Sequence, residues 1–495
     1  MDALEPTSPT ALPAGTAPEA DLLDAIVTES RLAQTDAEKS RTRDLIGEFV
    51  EQILAGTVHV QKNLTASLDA RIAELDSLLS LQVNEILHHP DFQRLEGSWR
   101  GLRHLVTQAE TGPMLKVKVL HASKADLVKD FRTAADYDQS ALFKKVYEEE
   151  YGTFGGAPYA ALLGDFEFGR SPEDFRLLED LSHVAAAAHA PLVTAASPGL
   201  FGLEDFGDLS RPRNLAKLFD TVEYAKWNAF RASDDARYVG LVLPHVLGRL
   251  PYGPDTTPVE AFNFVEDADG RDARRYLWSN AVYAYGARLT NAFSQYGWLA
   301  AIRGVEGGGL VEGLPAHTFK TDSGEVALKC PTEVAITDRN EKLLADLGFM
   351  ALVHCKNTDY ASFFSGQSAQ KARTYTTDAA NANARLSTQL PYIFAVSRIA
   401  HYLKAIMRDK VGSFASRQGV QDYLNAWLAQ YVLLDDAASQ EAKSKYPLRE
   451  AHVEVVDIPG RPGAFRAAAF LRPHFQLDEL TVSLRLVADL PQSSR

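Results

Sequence analysis

Two carboxylates close together in the sequence are the residues best suited to acid–base chemistry. Asp165 and Glu167 lie in the segment Gly164–Gly169, directly after a short apolar run that predicts a strand. Strand-end loops carry many α/β active sites, and two carboxylates there can serve as general acid and general base. Such loops are commonly acidic, and the sequence forces no His, Lys or Arg beside this pair. An α/β enzyme that uses Asp165 and Glu167 is therefore an alternative that the sequence does not favour.

Other side chains with metal-binding or phosphate-binding potential lack the spacing that such chemistry needs. His88 and His89 are adjacent, so on a helix they point about 100° apart. The segment Gly304–Gly309 is rich in glycine, but it matches neither phosphate-binding pattern and contains no Lys. The sequence therefore predicts no catalytic residue, no metal and no cofactor.

Composition narrows the class of protein. A length of 495 residues predicts about three domains. The net charge of −14 argues against nucleic-acid binding. Cys330 and Cys355 are the two cysteines and form no CxxC, which indicates a reducing compartment. Without a secretory signal or an apolar run long enough to span a bilayer, we expect a cytosolic protein with no direct membrane insertion.

The N-terminal part predicts long amphipathic helices. Apolar residues that step by three or four form one continuous stripe, which ends before Pro90. The stripe consists of Leu64, Leu68, Ile72, Leu75, Leu79, Val83 and Ile86. A second stripe consists of Phe92, Leu95, Trp99, Leu102 and Val106. Each stripe needs a partner surface, either in the rest of the chain or on a helix of another subunit.

The middle of the chain has an α/β pattern. A helix that begins after Ser171 lies between apolar runs at Tyr159–Leu163 and Pro191–Thr194, which predicts a β-α-β unit with parallel strands. Further strands are predicted at Leu115–Val119, Tyr238–Leu243, Glu333–Ile336 and Met350–His354. Residues 366–388 are polar and are expected to form an exposed connection.

The C-terminal part ends in strands. Ala451–Ile458 and Phe465–Leu471 predict a hairpin around a turn rich in Pro and Gly. The segment Leu480–Leu486 alternates with period two, so Leu480, Val482, Leu484 and Leu486 share one face. A terminal strand this regular must pair either with its own hairpin or with a sheet edge on another molecule. The pattern alone favours a self-contained three-stranded sheet.

Several segments, taken together and in order, resemble one family: the large subunit of the type VI secretion contractile sheath (TssC/VipB). The matching segments are His89–Leu102, Tyr151–Gly169, Arg249–Gly253, Phe262–Phe264, Asn291–Trp298, Glu333–Asp338, Ala379–Leu386, Leu390–Phe394 and the C-terminal strands. They cover most of the chain from about residue 60 onward. None is a chemical motif, and it is their combination that is specific.

The resemblance implies a non-enzymatic structural subunit of mixed α/β (α+β) fold. Such a subunit pairs with a small sheath subunit (TssB/VipA), and the heterodimers polymerise with further copies into a helical tube around an inner tube of Hcp. Contraction of the tube, which stands on a baseplate, propels the inner tube out of the bacterium. The contracted sheath is taken apart by an ATPase (ClpV). The expected location is the bacterial cytoplasm.

The resemblance also implies roles for residues and regions. The expected regions are a largely disordered segment 1–40 with a short helix at 21–33, amphipathic helices at 41–110, a central α/β sheath domain at 111–388 and a C-terminal sheath domain at 389–495. The small-subunit interface is expected at Leu64, Leu68, Ile72, Leu75, Leu79 and Val83. Strands shared between protomers are expected to include Val453, Val455, Phe465, Leu480, Val482, Leu484 and Leu486.

The resemblance also implies two further contacts, and each set of residues has an alternative interpretation. Lys371, Arg373 and Arg385 are candidates for the face toward the inner tube, or form a solvated loop. Leu22, Leu23 and Ile26 are candidates for the contact with the disassembly ATPase, or belong to a plain surface helix. A non-polymerising adaptor of the same family is a third interpretation of the whole chain.

Overall fold

A computed structural model describes residues 35–56, 64–211, 214–270, 272–321, 323–413, 416–459, 465–474 and 476. The chain divides into two compact units. One comprises the residues up to Val83 together with Pro258–Val265, and the other comprises Asn84–Thr257 and the residues from Glu266 onward.

Fourteen α-helices and twelve strands lie within the described residues. The helices are α1 (Asp36–Leu54), α2 (Leu64–Leu87), α3 (Pro90–Gln108), α4 (Lys124–Thr133), α5 (Ala141–Phe143), α6 (Pro172–Ala188), α7 (Leu215–Phe219), α8 (Ala225–Ala232), α9 (Ala281–Tyr296), α10 (Asp338–Asp346), α11 (Asp378–Leu386), α12 (Leu390–Asp409), α13 (Arg417–Ala429) and α14 (Gln440–Lys445). The strands are β1 (Leu162–Phe168), β2 (Leu192–Ala196), β3 (Val239–Leu243), β4 (Val246–Leu247), β5 (Trp278–Ser279), β6 (Leu310–Val311), β7 (Thr318–Lys320), β8 (Val326–Leu328), β9 (Met350–His354), β10 (Ala361–Phe363), β11 (Leu448–Asp457) and β12 (Phe465–Pro473).

The N-terminal helices begin at strong capping signals. The side chain of Thr35 accepts a hydrogen bond from the Glu38 N–H at the start of α1, and Glu38 bonds back to Thr35, which completes a capping box. Helix α3 begins with Pro90, where the missing N–H costs nothing, and the ring of His89 accepts from the Asp91 N–H. The predicted helical N-terminal region is therefore present from residue 36.

The main sheet has six strands in the order β1-β2-β3-β9-β10-β6. Strands β1, β2, β3 and β9 pair in parallel, as the predicted β-α-β unit requires, while β10 runs antiparallel to both β9 and β6. Short parallel strands need helical crossovers, and α6 supplies the one between β1 and β2. The α/β class predicted from the sequence is confirmed.

Helices cover both faces of this sheet. One core packs α6 and α8 on the strands and contains Leu178, Trp227 and Phe349. The other core packs α9 and α12 on the opposite face and contains Tyr285 and Phe394. Because both faces are buried, the strands are almost wholly apolar rather than alternating.

A separate core holds the C-terminal hairpin. Strands β11 and β12 pair antiparallel as predicted, with Val453 opposite Ala469 and Val455 opposite Ala467. Their inner face packs against α12 and α13, through residues that include Ile399, Leu424, Leu428, Val453 and Val455. The hairpin is thus part of the folded body of the chain.

Three predicted segments differ from the structure. Leu115 and Val117 are half-buried, but Val119 is exposed, and the segment Leu115–Val119 pairs with no described strand. Glu333–Ile336 forms no strand, although Val334 and Ile336 are buried in the first core. The predicted connection 366–388 contains α11, which the side chain of Thr377 caps.

None of the described helices is both long enough and apolar enough to cross a membrane.

Candidate assembly surfaces

Helix α2 presents the predicted apolar stripe to solvent. Leu68, Ile72, Leu75 and Leu79 are all exposed, Ile72 by 53%, and Val83 is half-buried. The side chain of Leu64 lies outside the described part of the chain. An exposed stripe of this length on a folded unit is typical of a surface that another helix covers.

Helix α3 has two apolar faces, and one of them is buried. Gly97 and Gly101 lie on the buried face, where the backbone of β5 and the ring of Tyr283 approach the helix closely. A Cβ at Gly97 would lie 2.5 Å from the carbonyl oxygen of Trp278. The close approach of helix and strand therefore requires glycine at this position.

The opposite face of α3 is exposed. It carries Phe92, Leu95, Trp99 and Val106, and Trp99 is 66% exposed. These residues belong to the second stripe predicted from the sequence, so that stripe is not used for packing against the described part of the chain. It is a second candidate contact surface.

A buried ion cluster fixes α3 on the body of its unit. The guanidinium of Arg249 donates to Glu96 on α3 over 2.9 Å and to Glu266 over 2.5 Å. Both carboxylates are largely shielded from water. Glu96 also accepts from Arg100 and Glu266 from the Tyr252 N–H, so removal of Arg249 would leave two buried carboxylates with fewer partners. The exposed face of α3 is thereby held in a fixed orientation.

Three of the residues predicted for strands shared between protomers lie on the inner face of the hairpin. Val453 and Val455 are each 1% exposed, and Phe465 is half-buried against the same core. Leu480, Val482, Leu484 and Leu486 lie outside the described residues, as do Leu22, Leu23 and Ile26 near the N-terminus. Their roles stay predictions.

The chain after β12 is bonded to the body. The His474 N–H donates to the carbonyl of Pro447, the Gln476 N–H donates to the hydroxyl of Tyr392, and the Gln476 side chain donates to the carbonyl of Ala300 over 3.0 Å. His474 and Gln476 are therefore held to the body of the chain.

The proposed acid–base pair is engaged in structural bonds. Asp165 lies within β1, and its carboxylate accepts hydrogen bonds from Ser98 over 2.5 Å and from Tyr283 over 2.9 Å. Burial raises the pKa of the Tyr283 hydroxyl, and the charge of Asp165 raises it further. These bonds join β1 to α3 and α9, and their evident role is to hold the three elements together.

Glu167 is the other member of the pair, and it bonds to a histidine that the sequence did not single out. The imidazole of His245 lies between two carboxylates, 2.7 Å from Glu167 and 2.5 Å from Glu333. Burial lowers the pKa of His245, but the hydrogen bonds that the imidazole donates to Glu167 and Glu333 outweigh burial and raise that pKa to about 10. Burial also opposes ionisation of Glu167, and the bond to His245 outweighs it and lowers the pKa of Glu167.

This arrangement is an ion cluster between three chain segments rather than a reactive dyad. Both ring nitrogens of His245 are bonded to carboxylates, so the cluster links the segments of Glu167, His245 and Glu333. Among the described residues, no group of three or more His, Cys, Asp and Glu side chains is placed to hold a metal ion. The residues around His245 in the sequence do not indicate this cluster, because Glu167 and Glu333 lie 78 and 88 residues away.

The three basic residues proposed for the inner tube lie on two segments. Lys371 and Arg373 are exposed in the extended stretch before α11, and Arg385 is exposed in the last turn of that helix. The guanidinium of Arg373 pairs with Asp234 over 2.8 Å. Part of the positive charge in this region is therefore already neutralised within the chain.

The sequence matches two domain models of one tail-sheath family, VipB. The first is described as EvpB/VC_A0108, tail sheath N-terminal domain, and matches residues 69–370. The second is described as EvpB/VC_A0108, tail sheath gpW/gp25-like domain, and matches residues 379–490.

A curated relative is similar over nearly the full length. It is the type VI secretion system sheath protein TssC1 of Pseudomonas aeruginosa, which is 48% identical over 463 residues that cover 93% of each chain. Two solved structures are weakly similar, both at 11% identity: the baseplate of the anti-feeding prophage, with a TM-score of 0.34 over 63% of this chain and 66% of that one, and its contracted helical sheath, with a TM-score of 0.27 over 64% and 75%. At these scores neither structure adds to the assignment.

Proposed function

The chain belongs to the VipB (TssC) family of contractile tail-sheath proteins, and from this premise we propose that it is the large structural subunit of a type VI secretion sheath. The observation that carries the proposal is the 48% identity to a sheath protein over 93% of both chains. The subunit forms a heterodimer with a small sheath subunit, and the heterodimers polymerise into a helical tube around an Hcp inner tube in the bacterial cytoplasm. Its role is structural, without a catalytic step.

The stripe on α2 is the proposed contact with the small subunit. Its exposed apolar residues supply the buried area that such a contact needs, at roughly 25 cal/mol for each Å² removed from water. A helix of the small subunit fits this surface best, because the stripe follows helical spacing over four turns or more. The exposed face of α3 is a second surface of the same kind.

Strands shared between protomers are the proposed links along the tube. The hairpin β11–β12 is the acceptor, and the segment Leu480–Leu486 of a neighbouring copy is the donated strand. Each main-chain hydrogen bond formed this way contributes on the order of 1 kcal/mol, and several form in each link. Links of this kind survive a rotation of one protomer against the next.

Contraction then needs no nucleotide at the sheath itself. The energy is stored in folded subunits that assemble in an arrangement of higher free energy and relax by rigid-body rotation. The basic residues Lys371, Arg373 and Arg385 are the proposed contact with the inner tube. Leu22, Leu23 and Ile26 are the proposed contact with the disassembly ATPase, and the end of the tube stands on a baseplate.

The test is negative-stain electron microscopy of this chain coexpressed with its small subunit. We expect hollow tubes with a cogwheel cross-section. Discrete particles that contain both subunits would instead identify a non-polymerising adaptor and would contradict the sheath role.

A further inference from the structure

A cysteine and a histidine from separate segments of the chain meet at the end of β9. Cys330 lies two residues after β8, and His354 is the last residue of β9. The segment that follows Cys330 is held against β4, because the Leu247 N–H donates to the carbonyl of Pro331 over 2.8 Å. The side chains of Cys330 and His354 are hydrogen-bonded to each other. A thiol in contact with an imidazole is an arrangement that can form a reactive thiolate.

The orientation of His354 is fixed by a backbone carbonyl. Its Nε2 lies 2.8 Å from the carbonyl oxygen of Thr358, and because a carbonyl only accepts, Nε2 carries a proton. In the neutral ring the other nitrogen, Nδ1, is then without a proton. Nδ1 is thus the atom that remains to bond to Cys330 and to take the proton of its thiol.

The sulfur of Cys330 has a second neighbour, Thr332. The hydroxyl of Thr332 lies 3.1 Å from the Sγ atom of Cys330, and it donates to the carbonyl of Val334 over 3.0 Å. Thr332 is fully buried, so its hydroxyl is a fixed support for the sulfur. Cys330 itself is only half-buried, so a small reagent in the solvent can approach it.

The electrostatics of the pair favour its ionised form. Burial raises the pKa of the Cys330 thiol, and the bond to His354 is the largest of the contacts that outweigh burial and lower that pKa. Burial lowers the pKa of His354, but its bonds to Cys330 and to the Thr358 carbonyl outweigh burial and raise it. Among the described residues, the other titratable groups that act on the pair are Lys329, beside Cys330, and Cys355, beside His354.

We propose that Cys330 is a site of reversible oxidation by hydrogen peroxide, with His354 as the base that accepts the thiol proton. The thiolate sulfur attacks one oxygen of the peroxide, so an S–O bond forms and the O–O bond breaks. The leaving oxygen takes the proton held by His354 and departs as water. The sulfur is thereby oxidised by two electrons to a sulfenic acid, and the peroxide is reduced.

The first test measures how readily the thiol ionises. The full-length chain is alkylated with iodoacetamide at pH 6 and at pH 8, and the rate at Cys330 is measured by mass spectrometry. The reference is a synthetic peptide of residues 324–336, in which Cys330 has the same sequence neighbours but no His354. A thiol with the ordinary pKa of about 8.5 reacts about 75-fold faster at pH 8 than at pH 6, and we expect this rise in the peptide.

In the folded chain the rise at Cys330 should be about 25-fold or less, because a larger share of the thiol is already ionised at pH 6. The rise is a ratio of two rates at one residue, so the partial burial of Cys330 affects both rates and cancels. A rise equal to that of the peptide overturns the proposal.

A substitution tests the role of His354. His354→Gln removes the base and keeps a side-chain N–H for the Thr358 carbonyl, whereas the control His452→Gln makes the same change on the exposed face of β11. His354→Gln should restore the rise of the peptide, and His452→Gln should keep that of the wild type. A wild-type rise in a folded His354→Gln chain overturns the proposal. If circular dichroism shows this variant to be unfolded, the wild-type comparison decides alone.

The second test measures the oxidation itself. Hydrogen peroxide is added at pH 6.5 together with dimedone, which adds to sulfenic acids, and the adduct is located by mass spectrometry. We expect an adduct at Cys330 that Cys330→Ser abolishes and that His354→Gln lowers about threefold or more. An absent adduct, or equal adduct in His354→Gln and the wild type, overturns the proposal. Tube formation enters neither test, so their failure leaves the sheath role untouched.

Discussion

His245 couples the stability of the central domain to pH. Its pKa of about 10 in the folded chain lies above the ordinary value of 6.5. A raised histidine pKa stabilises the fold fully below pH 6.5, and this contribution is lost as the pH rises toward 10. On the acid side, the lowered pKa of Glu167 adds stability above its ordinary value of 4.5, which is lost as the pH falls.

We therefore predict that His245→Gln lowers stability most near pH 6.5, by about 3 kcal/mol, because Glu333 is left buried beside a neutral partner. The Tm of the variant and of the wild type, measured from pH 6 to pH 10, should converge as the pH rises. The control is His452→Gln on the exposed outer face of β11, which should follow the wild type throughout. A difference between His245→Gln and the wild type that stays constant with pH would contradict the ion cluster.

Two glycines in N-terminal helices should respond oppositely to the same substitution. Gly97→Ala in α3 brings a Cβ within 2.5 Å of the Trp278 carbonyl oxygen, and we expect a loss of about 1–3 kcal/mol through overpacking. Gly47→Ala in α1 meets no atom within 4 Å and should gain about 1 kcal/mol from helix propensity. Urea denaturation of both variants tests this, and equal effects would show that α3 does not approach β5 as described.

The chemistry of single residues was the part least predictable from the sequence. Asp165 and Glu167 were considered as an acid–base pair, but their partners come from segments 67 to 118 residues away. A carboxylate that is bonded to Ser98 and Tyr283 has the same local sequence as one in a reactive cleft. Only the tertiary contacts distinguish the two.

At the scale of elements, the stripe on α2 makes a specific prediction. Ile72→Asp combined with Leu79→Asp places two charges on the face proposed to be covered by the small subunit, where unpaired charges cost several kcal/mol. We expect the small subunit to be lost when the tagged chain is purified from coexpressing cells. Both residues are exposed in the chain itself, so its fold should be retained, as circular dichroism would show.

The matched control lies on the same helix. Ala70→Asp with Ser77→Asp adds the same charges at the same spacing, about 160° around the helix from the first pair. This variant should copurify with the small subunit as the wild type does. Equal loss from both double variants would mean that charge on α2, rather than the stripe, decides binding.

Elements that periodicity and turn residues define were predictable from the sequence. Elements that depend on pairing with a distant segment were not. The hairpin, the parallel strands and the amphipathic helices follow from periodicity and turn residues, and each is present. The prediction of a strand at Leu115–Val119 is wrong, because an alternating sequence does not show whether a partner strand lies beside it. The hydrogen bonds from the side chains of α13 to the backbone of Val453 and Val455 were also unpredictable, because Arg417, Gln421 and Asn425 have the pattern of an ordinary polar helix face.

At the scale of the whole molecule, the terminal strand should separate binding from polymerisation. We predict that deletion of residues 479–495 leaves a complex with the small subunit but abolishes tubes, because the donated strand is gone while α2 and the hairpin remain. Size-exclusion chromatography followed by negative-stain microscopy checks both parts. Tubes of normal length from the truncated chain would contradict strand donation.

The two hydrogen bonds of Gln476 limit how far the segment that begins at Leu480 can extend from its own chain. The donated segment starts at Leu480, and four residues span at most about 14 Å when fully extended. Under the proposed strand donation, the hairpin of a neighbouring copy must therefore lie within that distance of Gln476 while Gln476 stays bonded to Tyr392 and Ala300. Any stage of the proposed contraction that moves Gln476 and the neighbouring hairpin further apart must first break these two hydrogen bonds. The bonds would therefore limit how far adjacent subunits can move before the end of the chain is released.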